Sequence, residues 1–316
     1  FNKTTSGILM PIVFPRYVGV TGIGFGNIGD MANRGVEVEM GYEKKYGPFT
    51  LNIRANGSYI KNRVTHLGQG LDFTEDGALQ FQGSTYALTR IAVGQPLNSF
   101  FGFKTNGIFQ DQSEIDNYLG AKGKIQPNAV PGDFRWVDLN NDGQIDANDR
   151  TFLGAPTPSW TFGFSLNMSW KTLDFVLFAQ GVAGNKVFQG LRRLDISTAN
   201  WQEAALGRWH GAGTSDTHPR LTTNDVNRNY SHPSDFYLQD AGYLRFKTVQ
   251  IGYTIPGKFI RTMGLGKARF FLSANNFVTF TKYTGFDPEI GGSSTGVDRG
   301  VYPQPKSLLL GLNLTL

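Results

Sequence analysis

Twelve residues near the middle of the chain, Asp138-Leu-Asn-Asn-Asp-Gly-Gln-Ile-Asp-Ala-Asn-Asp149, carry its sharpest chemical signal. Asp138, Asn140 and Asp142 fall at the first, third and fifth positions of a calcium-binding loop. Gly143 stands sixth, where the backbone must turn sharply. Gln144 offers its carbonyl at the seventh position, and Asp146 and Asp149 fall at the ninth and twelfth. Calcium is a hard cation that gathers oxygen ligands, and carboxylates crowded into a short turn repel one another when no cation is present. The spacing therefore predicts a structural calcium ion held by Asp138, Asn140, Asp142, Gln144, Asp146 and Asp149. The last of these is Asp where such loops usually carry the longer Glu, which shortens the bidentate reach. The same residues also suit an Asx-rich turn that closes without a metal.

Little else in the sequence points to reactive chemistry. Cysteine is absent, which excludes disulfides, thiolate nucleophiles and Cys-based zinc sites. The four histidines, His66, His210, His218 and His232, form no paired zinc spacing. No serine can be matched with a histidine from the sequence, and no two carboxylates stand out as an acid/base pair, so no enzymatic activity is predicted. Gly24-Phe-Gly-Asn-Ile-Gly29 fits G-x-G-x-x-G but leads into an alternating strand instead of opening a helix. It reads as a flexible glycine-rich loop, not a dinucleotide site. The 30 Lys and Arg against 25 Asp and Glu give a charge of +5 spread along the chain, with no basic block that would mark a nucleic-acid footprint.

The elements that would position these residues are strands. Along Ser159–Trp170 the even positions are Trp160, Phe162, Phe164, Leu166, Met168 and Trp170, and the odd positions are small or polar. Side chains alternate faces along a strand, so one face is wholly apolar and the other polar, with Trp at both ends of the apolar one. That pattern suits a membrane barrel strand with aromatic girdles. Arg34–Lys44, Phe49–Tyr59 and Ser307–Leu316 alternate similarly, and Leu88–Gly94, Ser99–Phe109, Leu173–Val182, Gly242–Ile255 and Ala268–Phe280 complete nine predicted strands. Asn2–Phe14 can hold the end of a tenth. Within Gly242–Ile255 the apolar phase shifts from Leu244 and Phe246 to Val249, Ile251 and Tyr253, which predicts a β-bulge.

The connections alternate between short (Lys45–Pro48, Gln95–Asn98, Lys171–Thr172, Pro256–Lys267) and long (Lys61–Ala87, Gln110–Pro158, Ala183–Ala241, Thr281–Lys306). Long structureless loops are uncommon in compact soluble domains, whereas outer-membrane barrels pair short periplasmic turns with long extracellular loops. The alternation predicts an all-β, transmembrane antiparallel barrel with long extracellular loops, its C-terminus periplasmic. Trp201, Trp209, Tyr230, Phe236 and Tyr237 crowd the Ala183–Ala241 loop as candidates for contacting substrate or a partner. They equally suit a small core internal to the loop.

The calcium-like turn lies in a longer block, Gly132–Arg150, followed by Gly154-Ala-Pro-Thr-Pro-Ser-Trp-Thr-Phe-Gly-Phe164. With Asn33–Glu39, Tyr243–Pro256, Ser273–Glu289 and the terminal Leu310–Leu316, this block resembles the SusC-like TonB-dependent transporters of Bacteroidetes. The resemblance covers most of the chain, in family order. It implies that residues 1–316 are the C-terminal portion of a larger, 22-stranded barrel whose plug domain and TonB-contacting motif lie outside this chain. It also implies an outer-membrane location, a SusD-like lipoprotein partner, energy from TonB, and import of oligosaccharides or peptides. Family barrels usually end in an aromatic residue, whereas this chain ends in Leu316. The alternative reading is a soluble, calcium-stabilised, carbohydrate-binding β-sandwich.

Overall fold

A computed structural model describes residues 1–12, 19, 24–68, 70–75, 84–192, 199–260, 264–290 and 296–315. Its frame is one eight-stranded sheet in which every strand pairs antiparallel with its neighbour in sequence. The strands are β1 (Asn2–Ile12), β2 (Gly24–Tyr46), β3 (Phe49–Leu67), β4 (Trp160–Trp170), β5 (Leu173–Ala183), β6 (Tyr243–Thr254), β7 (Lys267–Thr281) and β8 (Ser307–Thr315). No described helix is long and apolar enough to cross a membrane.

Register decides which side chains share a face. Phe164 of β4 lies opposite Ala55 of β3 and Ala179 of β5, and Leu166 lies opposite Ile53 and Leu177. The same face takes in Met40 and Tyr42 on β2, and Met168 and Phe175 continue it through Ile251, Leu272 and Leu310 on β6 to β8. It is apolar and open: Met40 is 65% exposed and Leu310 81%. The other face carries Glu39, Asn56, Gly163 and Gln180 in one row. Cross-strand polar bonds line it, including Ser58 to Thr161 at 2.6 Å and Asn52 to Glu43 at 3.2 Å. A soluble sheet buries its apolar face, so this inversion is the polarity of a strand wall with lipid outside and water inside. A sandwich would pack a second sheet over those apolar residues, and the exposed row shows that none covers them. Trp160 and Trp170 stand at the two ends of the apolar row, with the Trp160 ring tilted against Tyr59 at 4.7 Å.

The predicted bulge is present. The register of β6 slips between Phe246 and Thr248 against β7, and between Phe178 and Ala179 of β5. Lys247 is thereby left out of the ladder, which keeps both apolar phases on the outer face. On the polar face, Asp174 of β5 reaches across β6 to Arg269 of β7, at 2.9 Å from its Nε. Gly252 lies between them, and a Cβ there would come within 2.5 Å of Asp174 and Arg269 atoms, so the bridge needs glycine at that point.

Three expectations are corrected. Leu88–Gly94 and Ser99–Phe109 are not wall strands: Thr89–Ala92 and Ser99–Phe103 belong to a separate four-stranded sheet with Phe73–Glu75 and Arg150–Gly154. Ser99–Phe103 is buried at every position, on both faces, and so lacks the one-sided exposure of the wall strands. The Gln95–Asn98 turn therefore lies inside a long connection, which runs unbroken from β3 to β4. Gly24–Gly29 is not a loop but the start of β2, paired with β1, where Gly29 leaves room for Met10. Asn2–Ile12 is a full strand (residues 13 and 14 lie outside the described residues), and β2 and β3, at 23 and 19 residues, rise beyond the other strands as a tall hairpin.

The face assignment predicts an asymmetry. Phe164→Arg places a guanidinium on the lipid face and costs about 2–4 kcal/mol near the bilayer midplane. Asn167→Arg, on the polar face of the same strand, costs far less. Folding of the complete native protein into lipid vesicles, titrated with denaturant, measures both; equal losses would reverse the assignment.

Candidate functional site

The predicted calcium turn is compact, and backbone N–H groups fill it. Asp138 accepts from the N–H of Asp142 at 3.2 Å and of Gly143 at 2.8 Å. Asn140 Oδ1 accepts from the N–H of Asp142, and Asp142 from that of Gln144, both at 2.9 Å. Asp146 caps the short 3-10 helix Ala147–Asp149, and Asp149 returns the bond to the Asp146 N–H at 2.7 Å. The second oxygen of Asp149, a fully buried side chain, accepts from the Leu139 N–H at 2.8 Å. Gly143 sits at φ +82°, a conformation that L side chains rarely adopt. Among the described residues no three His, Cys, Asp or Glu side chains converge in a way that could hold a metal. The carboxylates are spread around the turn by the N–H groups they accept.

The larger feature is a cavity of about 520 Å³ where the long connections meet. Thr105 and Phe134 come from the β3–β4 connection, Gln189 through Gln239 from β5–β6, and Thr284 from β7–β8. These connections are woven together. Lys186–Gln189 pairs antiparallel with Leu238–Asp240 and parallel with Val297–Asp298, which joins two of them. A parallel bridge from Phe103 to Ser234 and the buried carboxylate of Asp133 join the third. Asp133 accepts from Arg220 Nε at 2.7 Å, Asn229 Nδ2 at 2.8 Å and the Val130 N–H at 3.0 Å. Leu88, Phe100, Phe188, Tyr237 and Val297, drawn from all three connections, form one buried cluster beneath.

Four of the five predicted aromatics line this cavity, and one does not. Tyr230 and Tyr237 are only 9% exposed. Their hydroxyls donate to the carbonyls of Pro219 at 3.1 Å and Tyr230 at 2.8 Å. Phe236 packs on Phe134 and Tyr237. These three form the wall, and Trp201, 37% exposed, is the aromatic a ligand can reach. Trp209 lies outside the lining: its Nε1–H donates to Gln110 at 3.1 Å, and its ring fills the space where a Gly132 side chain would stand. The sequence reading passed over Arg192, Arg208, Gln189, Gln239 and Thr284, all on the lining. They are single residues with no shared spacing, and only the weave brings them together.

The titratable groups nearby are not arranged for catalysis. His232 is buried, stacked at 4.0 Å on Phe103; burial above all, with Arg228 and Arg150, lowers its pKa to about 3. Burial also lowers that of His218. Asp235, which burial pushes up, accepts from both the N–H and the hydroxyl of Thr105. Each is held in packing or in a structural bond, which suits a binding cavity.

No family model matches the chain. TonB-dependent receptor P3 of Formosa agariphila is 29% identical to it over 99% of this chain and 31% of the receptor. TonB-dependent receptor SusC of Bacteroides thetaiotaomicron is 25% identical over 91% of this chain and 27% of the receptor. The solved RagAB peptide importer in its open-open state superposes with a TM-score of 0.76 at 24% identity, covering 100% of this chain and 32% of that one. A second structure, of the RagAB peptide transporter, gives 0.75 at the same identity. The eight-stranded sheet thus has the fold of a segment of those solved barrels, and the chain spans about a third of the length of the curated relatives it matches.

Asp133 makes the weave testable. Asp133→Ala leaves Arg220 unpaired in a largely buried position, and losing one partner of such a pair costs about 3–5 kcal/mol. Hydrogen exchange at Phe134 and Asn229–Tyr230 accelerates, while exchange in β4 and β5 stays unchanged. Uniform acceleration across the wall would show that the outer layer is not a separate unit.

Proposed function

We propose, from the premise that this chain is a homologue of TonB-dependent receptors over nearly its whole length, that it supplies wall and outer loops to an outer-membrane importer. The importer takes up oligosaccharides or peptides, together with a SusD-like surface lipoprotein. The observation that carries the reading is the join of two features: a wall apolar outside and polar inside, and three long connections converging at one end on a shared cavity. Such a cavity can hold a solute above the lumen until the path opens. The reading leaves the plug, the remaining strands and the contact with TonB to parts of the protein outside this chain. It assigns no catalysis to these residues and orients β8 with its end toward the periplasm.

Uptake of a labelled oligosaccharide or peptide substrate, in cells producing the complete protein, then depends on TonB and stops when an uncoupler collapses the inner-membrane gradient. Uptake persisting at full rate after both treatments marks a passive channel and defeats the proposal.

We propose further that calcium adds order to the Asp138–Asp149 turn. In support, the spacing supplies oxygens around a glycine-permitted turn, and the oxygens already engaged by N–H groups retain lone pairs for a cation. The role is structural, since ordering a long connection costs conformational entropy. Calcium protects the segment between Gln110 and Pro158 from protease in the native protein, and Asp142→Ala removes that protection. Identical cleavage with and without calcium would leave the turn as one closed by hydrogen bonds alone.

A further inference from the structure

The cavity carries charge that its own described walls do not neutralise. The Arg192 guanidinium lies 3.7 Å from the Trp201 ring centroid, held by stacking. Its Nε is buried with no hydrogen-bond partner among the described residues. Arg208 shares the lining, and its side chain makes only a long 3.5 Å bond to the Ala205 carbonyl. Neither arginine forms an ion pair with a described carboxylate. Arg220, close by, is by contrast paired with Asp133. Burial and the Asp225 carboxylate push the pKa of the Tyr230 hydroxyl well up, and Arg192 and Arg208 oppose them, so both positive charges bear on this one wall. The acids of the lining do not cancel them: Asp235 is engaged by Thr105, and Asp216 lies exposed.

The neutral part of the lining narrows the ligand. Gln189 donates to the Thr284 hydroxyl at 3.1 Å, and Gln239 accepts from the same hydroxyl at 3.0 Å, giving a rim of side-chain amides. An exposed indole, amide groups and guanidiniums suit a sugar: a ring face for the indole, hydroxyls for the amides, a carboxylate for the arginines. One common way to hold an extended peptide is to add it to a free strand edge. The strand at this cavity, Lys186–Gln189, has neighbours on both sides.

We propose that this cavity binds an acidic oligosaccharide, with a uronate carboxylate engaging Arg192 and Arg208 and a sugar face lying against Trp201. The proposal rests on the import reading in taking the ligand to be a transported solute.

The test measures binding of an oligogalacturonate trimer, a neutral glucose trimer and triglutamate to the complete native protein in detergent, by calorimetry and tryptophan fluorescence. The uronate trimer saturates the site, and the other two bind at least about tenfold more weakly, the difference one charge-assisted contact makes. Arg192→Gln and Arg208→Gln each weaken the uronate by about tenfold, and Arg208→Lys recovers part of that loss. Heat-modifiable gel migration confirms that each variant is folded, and the ligand comparison on the wild type stands without the variants. Equal binding of the neutral trimer, tighter binding of triglutamate, or no saturation by the uronate overturns the proposal. Energy-dependent uptake of other solutes in those cases leaves the importer standing and removes only its acidic ligand. Loss of energy dependence for every solute removes the importer, whatever the cavity binds.

Discussion

A backbone N–H or C=O in hydrocarbon has no water to bond, and each one left unpaired there costs several kcal/mol. The antiparallel ladder from β1 to β8 answers that constraint, and the other features of the wall follow from it. Strands must stay in register through the membrane, so side chains alternate strictly, and the outer row must be apolar. Where the ladder breaks, at the β6–β7 bulge, Lys247 and Asn276 fall out of it, with Asn276 at φ +50°. The Lys247 ammonium then meets Glu289 at 2.8 Å. The irregularity is thus placed where a polar interaction can use it.

Beyond the wall the rules become those of a water-soluble protein. Trp136, Phe100, Phe103, Phe109 and Phe134 are among the most completely buried side chains, and all lie in the β3–β4 connection. One charge is buried there with two partners. Arg245, near the outer end of β6, donates to Asp287 at 2.6 Å and Glu289 at 2.7 Å in the β7–β8 connection. Burial pushes the Asp287 carboxyl up. Arg245 and the N–H groups of Gln304 and Glu289 outweigh it and hold the carboxyl below the usual range. Removing either partner leaves a buried charge uncompensated, so the pair fixes where this connection sits more than it adds net stability.

The wall was legible because hydrocarbon enforces a period of two. Ser159–Trp170 alone showed both faces, and the phase shift between Phe246 and Val249 located the bulge. The outer layer was not, because its short strands are buried on both sides and show no alternation, as the Phe100-Phe101-Gly102-Phe103 run illustrates. The aromatic cluster of the β5–β6 connection was visible as composition. Its division into wall and contact residues was not, since that depends on which hydroxyl finds a carbonyl. Arg192 and Arg208 gave no sign at all: an arginine's meaning here lies in having no facing acid among the described residues, which no local spacing records. The calcium-like spacing forms a turn about Gly143, and the N–H bonds of its carboxylates are invisible to a pattern of side chains.

The parallel pairing of Phe188 and Gln189 with Val297 and Asp298 has a mechanical consequence. It rivets two connections that leave the wall from different hairpins, and the Phe103–Ser234 bridge adds the third. A layer cross-linked in this way cannot open one flap at a time. Any movement of this layer must carry it as a single plate, pivoting where the chain leaves the wall. Gly184 (φ +81°), at the end of β5, is one such point, in a conformation that glycine adopts without strain. Stiffness in the plate would then set how far a push at its rim moves the whole of it.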